Sequence, residues 1–435
     1  MNARTAVVLL ALALAPASRA VSVVLHAQSP DIVVEWNELV LQLAEAEDGF
    51  LTLKGLRTAA MMHIAMHDAL TSISGGYQSY VYEALEPDAS PVAAVAQAAF
   101  AVAIDQYADQ RAVLEAQRDS WLATVTPEAA RTRGIALGNA AAQAILHLRE
   151  NDGWDQEAAY QWHPMGPGVY AEFNEHSGTP EGFIFGAGWG AARPFALDQL
   201  DAFRAPPPPP IESEAYTEAY LEVKEVGRFQ SVARTVDQTH LALWWKDFAE
   251  NSVNRLARDL VVREPVGLAE AARLFALLNI SIFDAYVSSF ENKFHYNHWR
   301  PYTAIRWAEH DGNPDTAPEA NWTNTHQHTY AFPSYPSAHG TACAAAMTAL
   351  ADTFGDDYPF TMTTAQVDLA GPFSGKMEMR PSTRSFDRFS EAAMECALSR
   401  VYLGIHFRYD SIEGVELGSR IGQYVLRHRL MPLAE

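Results

Sequence analysis

The stretch Ser399–Asp410, SRVYLGIHFRYD, places an arginine, a histidine and an aspartate close together near the C-terminus. Arg400 and His406 are six residues apart, and on a continuous helix they would project about 120° apart around the axis. Gly404 lies between them and is a poor helix former. We therefore predict a helix that ends near Leu403, after which the chain turns and brings His406 back towards Arg400.

The side chains of this stretch suit the recognition of an anion. The guanidinium of Arg400 offers a planar fork of donors for oxyanions. His406 offers one ring nitrogen, and Asp410 can accept a hydrogen bond from the other and so fix the tautomer. An ordinary capping role is the alternative, because Asp410 and Glu413 have the spacing of a capping box for the next helix.

Two earlier segments favour the anion site. The segment KFHYNHWRP carries Lys293 and Arg300 seven residues apart, which is two turns along one face of a helix. The segment FPSYPSAHG supplies Ser337 and His339 immediately before the small-residue run TACAAAMTALADTFG, which predicts a new helix. Three cations, a hydroxyl, two histidines and a helix N-terminus can therefore converge on one tetrahedral oxyanion.

Together the three segments resemble the motifs of the vanadium-dependent haloperoxidases and of the type 2 phosphatidic acid phosphatases. The shared pattern is K-x6-R-P, then P-S-x-H, then S-R-x5-H-x3-D, and all three motifs occur here in that order. One position departs from the pattern: Ala338 stands where the family usually has glycine, but it keeps the backbone N–H that this position contributes. Outside the motifs the resemblance is looser, and RTVDQ at residues 234–238 matches a segment of the bacterial members.

The resemblance implies an all-α fold of helical bundles, with the anion bound at the end of the C-terminal bundle. It assigns vanadate as the cofactor and His406 as the apical ligand to vanadium. It also implies which groups hold the oxygen atoms of vanadate: Lys293, Arg300, Ser337, Arg400 and the N–H of Ala338, with His339 beside the cofactor as acid–base partner.

For a haloperoxidase, the resemblance implies that peroxide bound to vanadate becomes electrophilic with help from Lys293, and that halide attacks it to give hypohalous acid. Vanadium would act as a Lewis acid without a redox change. The catalytic residues would be His339, His406, Lys293 and Asp410. Halide and hydrogen peroxide are the expected partners, and the resemblance allows a small organic acceptor and a homo-oligomer.

The same motifs fit a secreted acid phosphatase, in which His406 would be the nucleophile and His339 the acid for the leaving oxygen. A third alternative is a protein that binds an oxyanion without turnover. We favour the haloperoxidase, because an export signal and a large helical N-terminal half are more similar to the bacterial haloperoxidase-like proteins than to compact acid phosphatases. Phe332 matches chloride-oxidising members, whereas Phe290 stands where fungal chloride enzymes have tryptophan, so the halide stays open.

The N-terminal residues 1–27 are typical of a secretory signal. Arg4 provides a positive start, and the apolar run Ala6–Ala15 is too short to span a bilayer. We therefore expect a secreted or periplasmic protein without a membrane anchor. No later stretch has the length and apolar character of a transmembrane helix.

The charge balance excludes some classes of partner. The chain has 53 acidic against 31 basic residues, a net charge of −22, which argues against nucleic acid and against anionic membrane surfaces. An anion site must therefore be built locally. The two cysteines, Cys343 and Cys396, lie on predicted helices beside the motifs, and either a disulfide or two buried thiols would suit them.

We divide the chain into a helical region at residues 28–205 that ends in an irregular Gly/Trp/Pro-rich connection, a proline spacer at residues 206–210, and a C-terminal helical bundle at residues 211–435. A helix is predicted over about Leu268–Lys293, with Lys293 on its apolar stripe, so this lysine needs an anionic partner. We predict no run of strands. His63 and His67, one turn apart, form either a metal-binding face or packed bundle residues, and we favour packing.

Overall fold

The computed structural model describes residues 28–171, 182–369 and 374–433, so the predicted secretory signal lies outside the described residues. The described residues form thirteen α-helices and two small antiparallel sheets. The all-α prediction is confirmed. The helices are α1 (Asp31–Asp48), α2 (Lys54–Ser74), α3 (Pro91–Gln106), α4 (Arg111–Leu122), α5 (Glu128–Leu148), α6 (Glu214–Val226), α7 (Val236–Trp244), α8 (Ala249–Arg263), α9 (Leu268–Tyr296), α10 (Pro301–Trp307), α11 (Ala338–Phe354), α12 (Phe389–Tyr402) and α13 (Arg408–His428).

Two long buried helices, α2 and α9, anchor the irregular segments. The carboxylate of Asp68 on α2 accepts hydrogen bonds from the backbone N–H groups of residues 80–82 at 2.7–2.9 Å. Asp284 on α9 does the same for residues 195–197 at 2.6–3.1 Å. A buried carboxylate is tolerated when donors satisfy it. Each aspartate therefore fixes a connection that has few regular backbone bonds of its own.

Helix α9 follows the predicted apolar stripe and ends one turn later than predicted. Its core-facing side chains, such as Phe275 and Ile282, are buried. The helix stops at Asn297, which takes a left-handed conformation with φ 48°. Lys293 therefore lies in the last turn of the helix with its side chain in the interior, as the stripe predicts.

The histidine pair on α2 packs inside the bundle. The ring of His63 stacks on Phe275 with centroids 5.1 Å apart, and its Nε2 lies 3.1 Å from the amide nitrogen of Asn37. His67 donates from Nε2 to the carbonyl oxygen of Gln78 at 3.1 Å. Burial lowers the pKa of His63 to about 3 and that of His67 to about 4, so both rings are neutral. These contacts support the packed alternative.

Four short strands lie between α11 and α12, in a region where we predicted none. β1 (Asp357–Thr363) pairs with β4 (Thr383–Arg388), and β2 (Gln366–Asp368) pairs with β3 (Lys376–Glu378), both antiparallel. The prediction of no strands is therefore wrong here. The strands are only three to seven residues long and mostly exposed, so they carry too few apolar residues for a period of two to stand out.

The irregular connection before residue 206 packs on the bundle rather than away from it. Tyr335 donates from its hydroxyl to the carbonyl oxygen of Pro206 at 2.5 Å, and the N–H of Ala205 donates to the side-chain oxygen of Asn292 at 2.8 Å. One continuous apolar core includes residues from α1–α3 and from α9, α11 and α13. The division of the chain at residues 206–210 stays a prediction.

Helix α13 packs closely against α11 because three glycines, Gly414, Gly418 and Gly422, face that helix at intervals of four residues. A Cβ atom at Gly414 would lie 2.7 Å from the carbonyl oxygen of Ser337, one at Gly418 would lie 2.1 Å from that of Thr341, and one at Gly422 would lie 2.9 Å from that of Ala345. Only glycine permits this approach. It brings the first turns of both helices together, so that the N–H of Ser337 donates to the carbonyl oxygen of Asp410 at 2.9 Å.

None of the helices within the described ranges is both long and apolar enough to cross a membrane.

Candidate oxyanion site

Lys293 enters the site from the last turn of α9. Its side chain is fully buried, and its Nζ donates to the carbonyl oxygens of Pro333 at 3.0 Å and Ser334 at 2.6 Å. Burial, with Arg300 nearby, lowers the pKa of Lys293 well below its usual value. An ammonium has three donors, so one N–H of Lys293 remains beyond these two carbonyls.

Arg300 lies where α10 begins, held by Pro301 in the first helical position. Its Nε donates to the carbonyl oxygen of Phe332 at 2.9 Å, and its Nη1 donates to that of Ile405 at 2.9 Å. The same Nη1 lies 3.4 Å from Nε2 of His406. Burial lowers the pKa of Arg300 to about 10. The arginine therefore faces the histidine while backbone carbonyls hold its fork in place.

The N-terminus of α11 carries the second motif. Ser337 caps the helix, since its hydroxyl oxygen accepts the N–H of Gly340 at 3.3 Å. Ala338 and His339 follow in the first turn and line a cavity. The Nε2 atom of His339 is buried and has no hydrogen-bond partner in the described part of the chain. Burial, reinforced by Arg400, lowers the pKa of His339 well below its usual value.

Arg400 projects from the last turn of α12 into the same cavity. Its Nη1 donates to the carbonyl oxygen of Trp245 at 3.0 Å, and its Nη2 to the hydroxyl of Tyr330 at 3.5 Å. Its Nε is buried and, within the described residues, has no acceptor. The guanidinium is thus held by a carbonyl and a hydroxyl rather than by a carboxylate.

The chain turns after α12 as predicted. Gly404 takes a φ of +77°, and the N–H of Ile405 donates back to the carbonyl oxygen of Arg400 at 3.1 Å. His406 follows immediately and lines the cavity that Arg400 also lines. His406 therefore returns towards Arg400 as predicted. The positive φ that glycine can adopt makes this tight reversal possible.

Asp410 orients His406. Its Oδ2 lies 2.9 Å from Nδ1 of His406, and it also accepts the N–H of Phe407 at 3.1 Å and a short hydrogen bond from the Ser334 hydroxyl. Asp410 is the third residue of α13 and not its N-cap, so the capping-box alternative with Glu413 is wrong. With Nδ1 donating to the carboxylate, the Nε2 lone pair is left facing the cations. Burial and three neighbouring cations lower the pKa of His406 well below its usual range.

The cavity has a volume of about 370 Å³, and Ala338, His339, Arg400 and His406 form its floor. Lys293, Arg300 and Ser337 are almost fully buried and lie behind this floor rather than on the open surface. The structure thus brings together all eight predicted site residues. They form two layers: Ala338, His339, Arg400 and His406 line the cavity, and Lys293, Arg300 and Ser337 lie behind them.

Sequence reasoning missed several groups around the site. Ser334, which bonds the Asp410 carboxylate, sits inside the quoted segment FPSYPSAHG but has no place in the motif. Glu250 lines the cavity wall, where its carboxylate accepts the Tyr286 hydroxyl at 2.8 Å. Burial raises the pKa of Glu250 to about 7. The sequence alone does not indicate these residues, because neither occupies a fixed position of the three motifs.

The cysteines form a disulfide, Cys343–Cys396, which settles the choice between disulfide and free thiols. It joins α11 to α12 directly beneath the site, with Cys396 Sγ 3.9 Å from the carbonyl oxygen of His339. His339 and the two cysteines are the one group in the described chain with metal-ligand geometry. Because the sulfur atoms are bonded to each other, they are not available as thiolate ligands.

Comparison with known proteins identifies vanadium-dependent peroxidases among the relatives of this chain. Residues 273–434 match the family model described as the VCPO second helical-bundle domain. The vanadium chloroperoxidase of Curvularia inaequalis is 28% identical over 262 residues, covering 47% of this chain and 42% of the relative. The vanadium-dependent bromoperoxidase of Ascophyllum nodosum is 35% identical over 109 residues, covering 24% of this chain and 19% of the relative. The matched part spans less than half the length of each relative.

Solved structures extend the likeness to most of the chain. A bacterial vanadium-dependent iodoperoxidase superposes with a TM-score of 0.75 at 21% identity, over 94% of this chain and 98% of the other. A holo-type bacterial vanadium-dependent chloroperoxidase superposes with a TM-score of 0.65 at 16% identity, over 86% of this chain and 91% of the other. These chains share the fold described above. The resemblance predicted from the three motifs is confirmed.

Proposed function

We propose that this chain, a relative of the vanadium haloperoxidases, binds vanadate and oxidises a halide with hydrogen peroxide to hypohalous acid. One observation carries the proposal: Lys293, Arg300 and Arg400 are all buried around His406, and the carboxylate among them is that of Asp410. Buried positive charge in such excess is costly unless an anion neutralises it. The site is therefore suited to an anion with several negative oxygens.

The residues fit a tetrahedral oxyanion such as vanadate. Arg400 Nε has no acceptor in the described chain, and Lys293 and the Ser337 hydroxyl each keep a donor. The first two N–H groups of α11, those of Ala338 and His339, have no partner within the helix and favour an anion. We assign the oxygen contacts to Lys293, Arg300, Ser337, Ala338, His339 and Arg400, and the metal contact to His406.

His406 is prepared as a ligand by its neighbours. A metal binds the neutral imidazole, and burial beside three cations keeps the pKa of His406 low enough for the ring to be neutral. Asp410 holds the proton on Nδ1, so Nε2 is the unprotonated nitrogen, which lies 3.4 Å from Arg300 Nη1. Asp410 is a positioning residue in this scheme, since its carboxylate acts through the histidine.

Bound vanadate supplies Lewis-acid activation of hydrogen peroxide without a change in the oxidation state of the metal. The chain supplies the charge and the proton transfer. Lys293 and the two arginines stabilise negative charge on oxygen in a site shielded from water. His339 is neutral, and its Nε2 has no partner among the described residues, so it can accept a proton from the entering peroxide and return it to the departing oxygen.

The proposal is tested with purified protein freed of vanadate, assayed for bromide and iodide oxidation before and after vanadate is added. We expect activity that depends on vanadate and is lost in His406→Ala, while circular dichroism shows an unchanged fold. His147→Ala is the matched control, because that side chain is 84% exposed. A folded His406→Ala protein with full vanadate-dependent activity would overturn the assignment.

An acid phosphatase is the second candidate, because the contacts assigned to vanadate would serve phosphate equally well. The unprotonated Nε2 of His406, which faces the buried cations, is also what a phosphate-transferring histidine requires. Incubation of the vanadate-free protein with an aryl phosphate separates the two. Rapid hydrolysis without halide oxidation after vanadate loading would favour the phosphatase.

A further inference from the structure

Halide oxidation consumes a proton that the residues assigned so far do not supply. Hydrogen peroxide and a halide ion bring two hydrogen atoms, whereas hypohalous acid and water contain three, so one further proton is taken up in each turnover. His339 returns only the proton that it has accepted from peroxide. Burial lowers the pKa of His339 and that of His406 well below the usual value, so neither ring brings an additional proton to the site.

A carboxyl group in the cavity wall is suited to supply this proton. Glu250 lies in the first turn of α8, is buried, and lines the cavity that His339, Arg400 and His406 also line. Its Oε2 accepts the hydroxyl of Tyr286 at 2.8 Å, so a residue of α9 holds the carboxyl group in place. A general acid needs such a fixed position near the reacting group.

Tyr286 connects Glu250 with the cationic floor of the cavity. Burial and the Glu250 carboxylate raise the pKa of Tyr286 well above its usual value, while the charge of Arg400 acts on the same hydroxyl in the opposite direction. Tyr286 lines the cavity and stays a neutral phenol. The hydrogen bond of Glu250 is therefore made within electrostatic reach of Arg400, one of the cations assigned to the oxyanion.

The surroundings of Glu250 favour a protonated carboxyl group up to neutral pH. Burial, with the negative charges of Asp247 and Glu45 nearby, raises the pKa of Glu250 to about 7. Within the described residues, Asp368 is the other carboxylate that lines the cavity, and it is paired with the cation Lys376 at 3.0 Å. Glu250 is bonded to a neutral hydroxyl instead. Of the two carboxyl groups, Glu250 is therefore the one suited to carry a proton into the reaction.

The elements around α8 contribute further charged and titratable groups. Those that act on Glu250 or share its cavity are Glu45 of α1, Asp247 just before α8, Tyr286 of α9, His339 of α11, Arg400 of α12 and Lys246. Asp247 is itself held by Arg255 at 2.9 Å. Strand β1 also packs on α8, but its Tyr358 is bonded to Arg263 at the other end of that helix.

Lys246 is a second candidate acid in the cavity wall. Burial, with Arg400 nearby, lowers the pKa of Lys246 to about 8. Its side chain is half-buried, and its Nζ donates to the carbonyl oxygen of Leu369 at 2.5 Å, whereas Glu250 is enclosed in the wall. We favour Glu250 because its position is fixed by Tyr286, and the two acids differ in the pH at which they lose their protons.

We propose that Glu250 donates the proton that halide oxidation consumes. The inference rests on the proposed function, because the reaction of peroxide with halide creates the demand for this proton. In the step, the halide bonds to one peroxide oxygen, the O–O bond breaks with its electron pair moving to the other oxygen, and that oxygen takes the proton of Glu250 and leaves as water. The halide is oxidised and the peroxide oxygen is reduced. The Glu250 carboxylate then takes up a proton from solvent.

The pH dependence of bromide oxidation at saturating vanadate tests the donor. In the unchanged protein, kcat should fall as the pH rises through about 7, because Glu250 then loses its proton. Glu250→Gln should lower kcat at pH 6 by about a hundredfold, as expected for loss of a general acid, and should remove the fall around pH 7. The KM for bromide and the Kd for vanadate, measured by equilibrium dialysis, should stay unchanged. Glu128→Gln is the matched control, because that side chain is 70% exposed.

The two candidate acids are separated by the same profiles. Glu250→Asp keeps a carboxyl group and should keep a fall of kcat with rising pH. Lys246→Met should keep the fall around pH 7. A fall near pH 8 that persists in Glu250→Gln and vanishes in Lys246→Met would overturn the proposal in favour of the lysine.

Infrared difference spectroscopy of the vanadate-free protein gives a readout that does not depend on activity. We expect a carboxylic acid C=O band that is lost as the pH rises through about 7 and that is missing from Glu250→Gln. Identical spectra of the two proteins would overturn the proposal. Vanadate-dependent oxidation with the same kcat and pH profile in Glu250→Gln would contradict the donor role and leave halide oxidation intact. No vanadate-dependent oxidation by the unchanged protein would instead contradict the proposed function, and the donor role with it.

Discussion

At the residue scale, a substitution of Arg400 tests the role of its planar guanidinium fork. Its Nη1 is bonded to a backbone carbonyl while its Nε has no acceptor in the described chain, so the fork both anchors the side chain and leaves a donor for the anion. Arg400→Lys keeps the charge but cannot make both contacts. We expect vanadate to bind about tenfold to a hundredfold more weakly, consistent with about 1.5–3 kcal/mol for a charge-assisted hydrogen bond.

Equilibrium dialysis of vanadate measures this loss. Arg427→Lys is the matched control, because Arg427 is exposed at the end of α13. Equal vanadate affinity of Arg400→Lys and the unchanged protein would place the anion elsewhere.

We predict that the stability of the folded protein depends on pH through Glu250. Its folded pKa is raised from 4.5 to about 7 by burial, so the folded state keeps a proton that the unfolded state loses above pH 4.5. The contribution of protonated Glu250 to the stability of the folded state is complete below pH 4.5 and is lost as the pH rises through 7. Glu250→Gln removes this titration and should still accept the Tyr286 hydroxyl.

The variant should therefore gain stability relative to the unchanged protein between pH 4.5 and 7, by up to about 1.4 kcal/mol per pH unit. Urea unfolding of both proteins at pH 4.5, 5.5 and 7 measures the difference. A difference that does not change with pH would contradict a raised pKa at Glu250.

Single residues differ in how well the sequence predicts them. The eight residues assigned from the motifs all lie at one site, because the chemistry of anion binding restricts their type and spacing. Ser334 and the Trp245 carbonyl could not be predicted in this way. Their roles depend on tertiary contacts made from loops, and a backbone carbonyl leaves no mark on residue identity.

At the scale of elements, the disulfide Cys343–Cys396 joins the helix of His339 to the helix of Arg400. It closes a loop across a sequence separation of 53 residues. A disulfide of this kind contributes about 2–4 kcal/mol to stability. We expect the double variant Cys343→Ser/Cys396→Ser to unfold at lower denaturant, with a loss of about that size.

Denaturation with and without reductant provides the check. Reductant should lower the stability of the unchanged protein and leave the double variant unaffected. If reductant acts equally on both proteins, the disulfide does not stabilise the fold.

The elements themselves were predictable to different degrees. The stripe of α9 spans many turns, and its position was predicted to within one turn. The turn at Gly404 was also predicted, because glycine between two site residues leaves few alternatives. The strands β1–β4 were not, because they carry too few apolar residues for a local pattern to indicate them; β1 contacts α8, and β4 contacts α12.

At the scale of the whole molecule, the excess of acidic residues contrasts with the cationic site. We predict that phosphate competes with vanadate, since both are tetrahedral oxyanions and would meet the same three cations. The apparent affinity for vanadate should fall in proportion to added phosphate. Potassium nitrate at the same ionic strength is the control, because nitrate is planar and carries a single charge.

Halide oxidation at a fixed vanadate concentration reports the competition. Phosphate should lower the rate, and more vanadate should restore it. Inhibition by nitrate of the same size would indicate screening rather than occupation of one site.

The three glycines of α13 that face α11 have a consequence for which substitutions this protein tolerates. Gly414, Gly418 and Gly422 have no side chain that could bind an anion, yet they set the distance between the helix that carries Asp410 and the helix that begins at Ser337. In a saturation mutagenesis screen scored on activity, these positions should therefore be as intolerant as the ligands. The positions that tolerate no substitution would extend through the interior to Gly422, about three helical turns beyond Asp410 on α13.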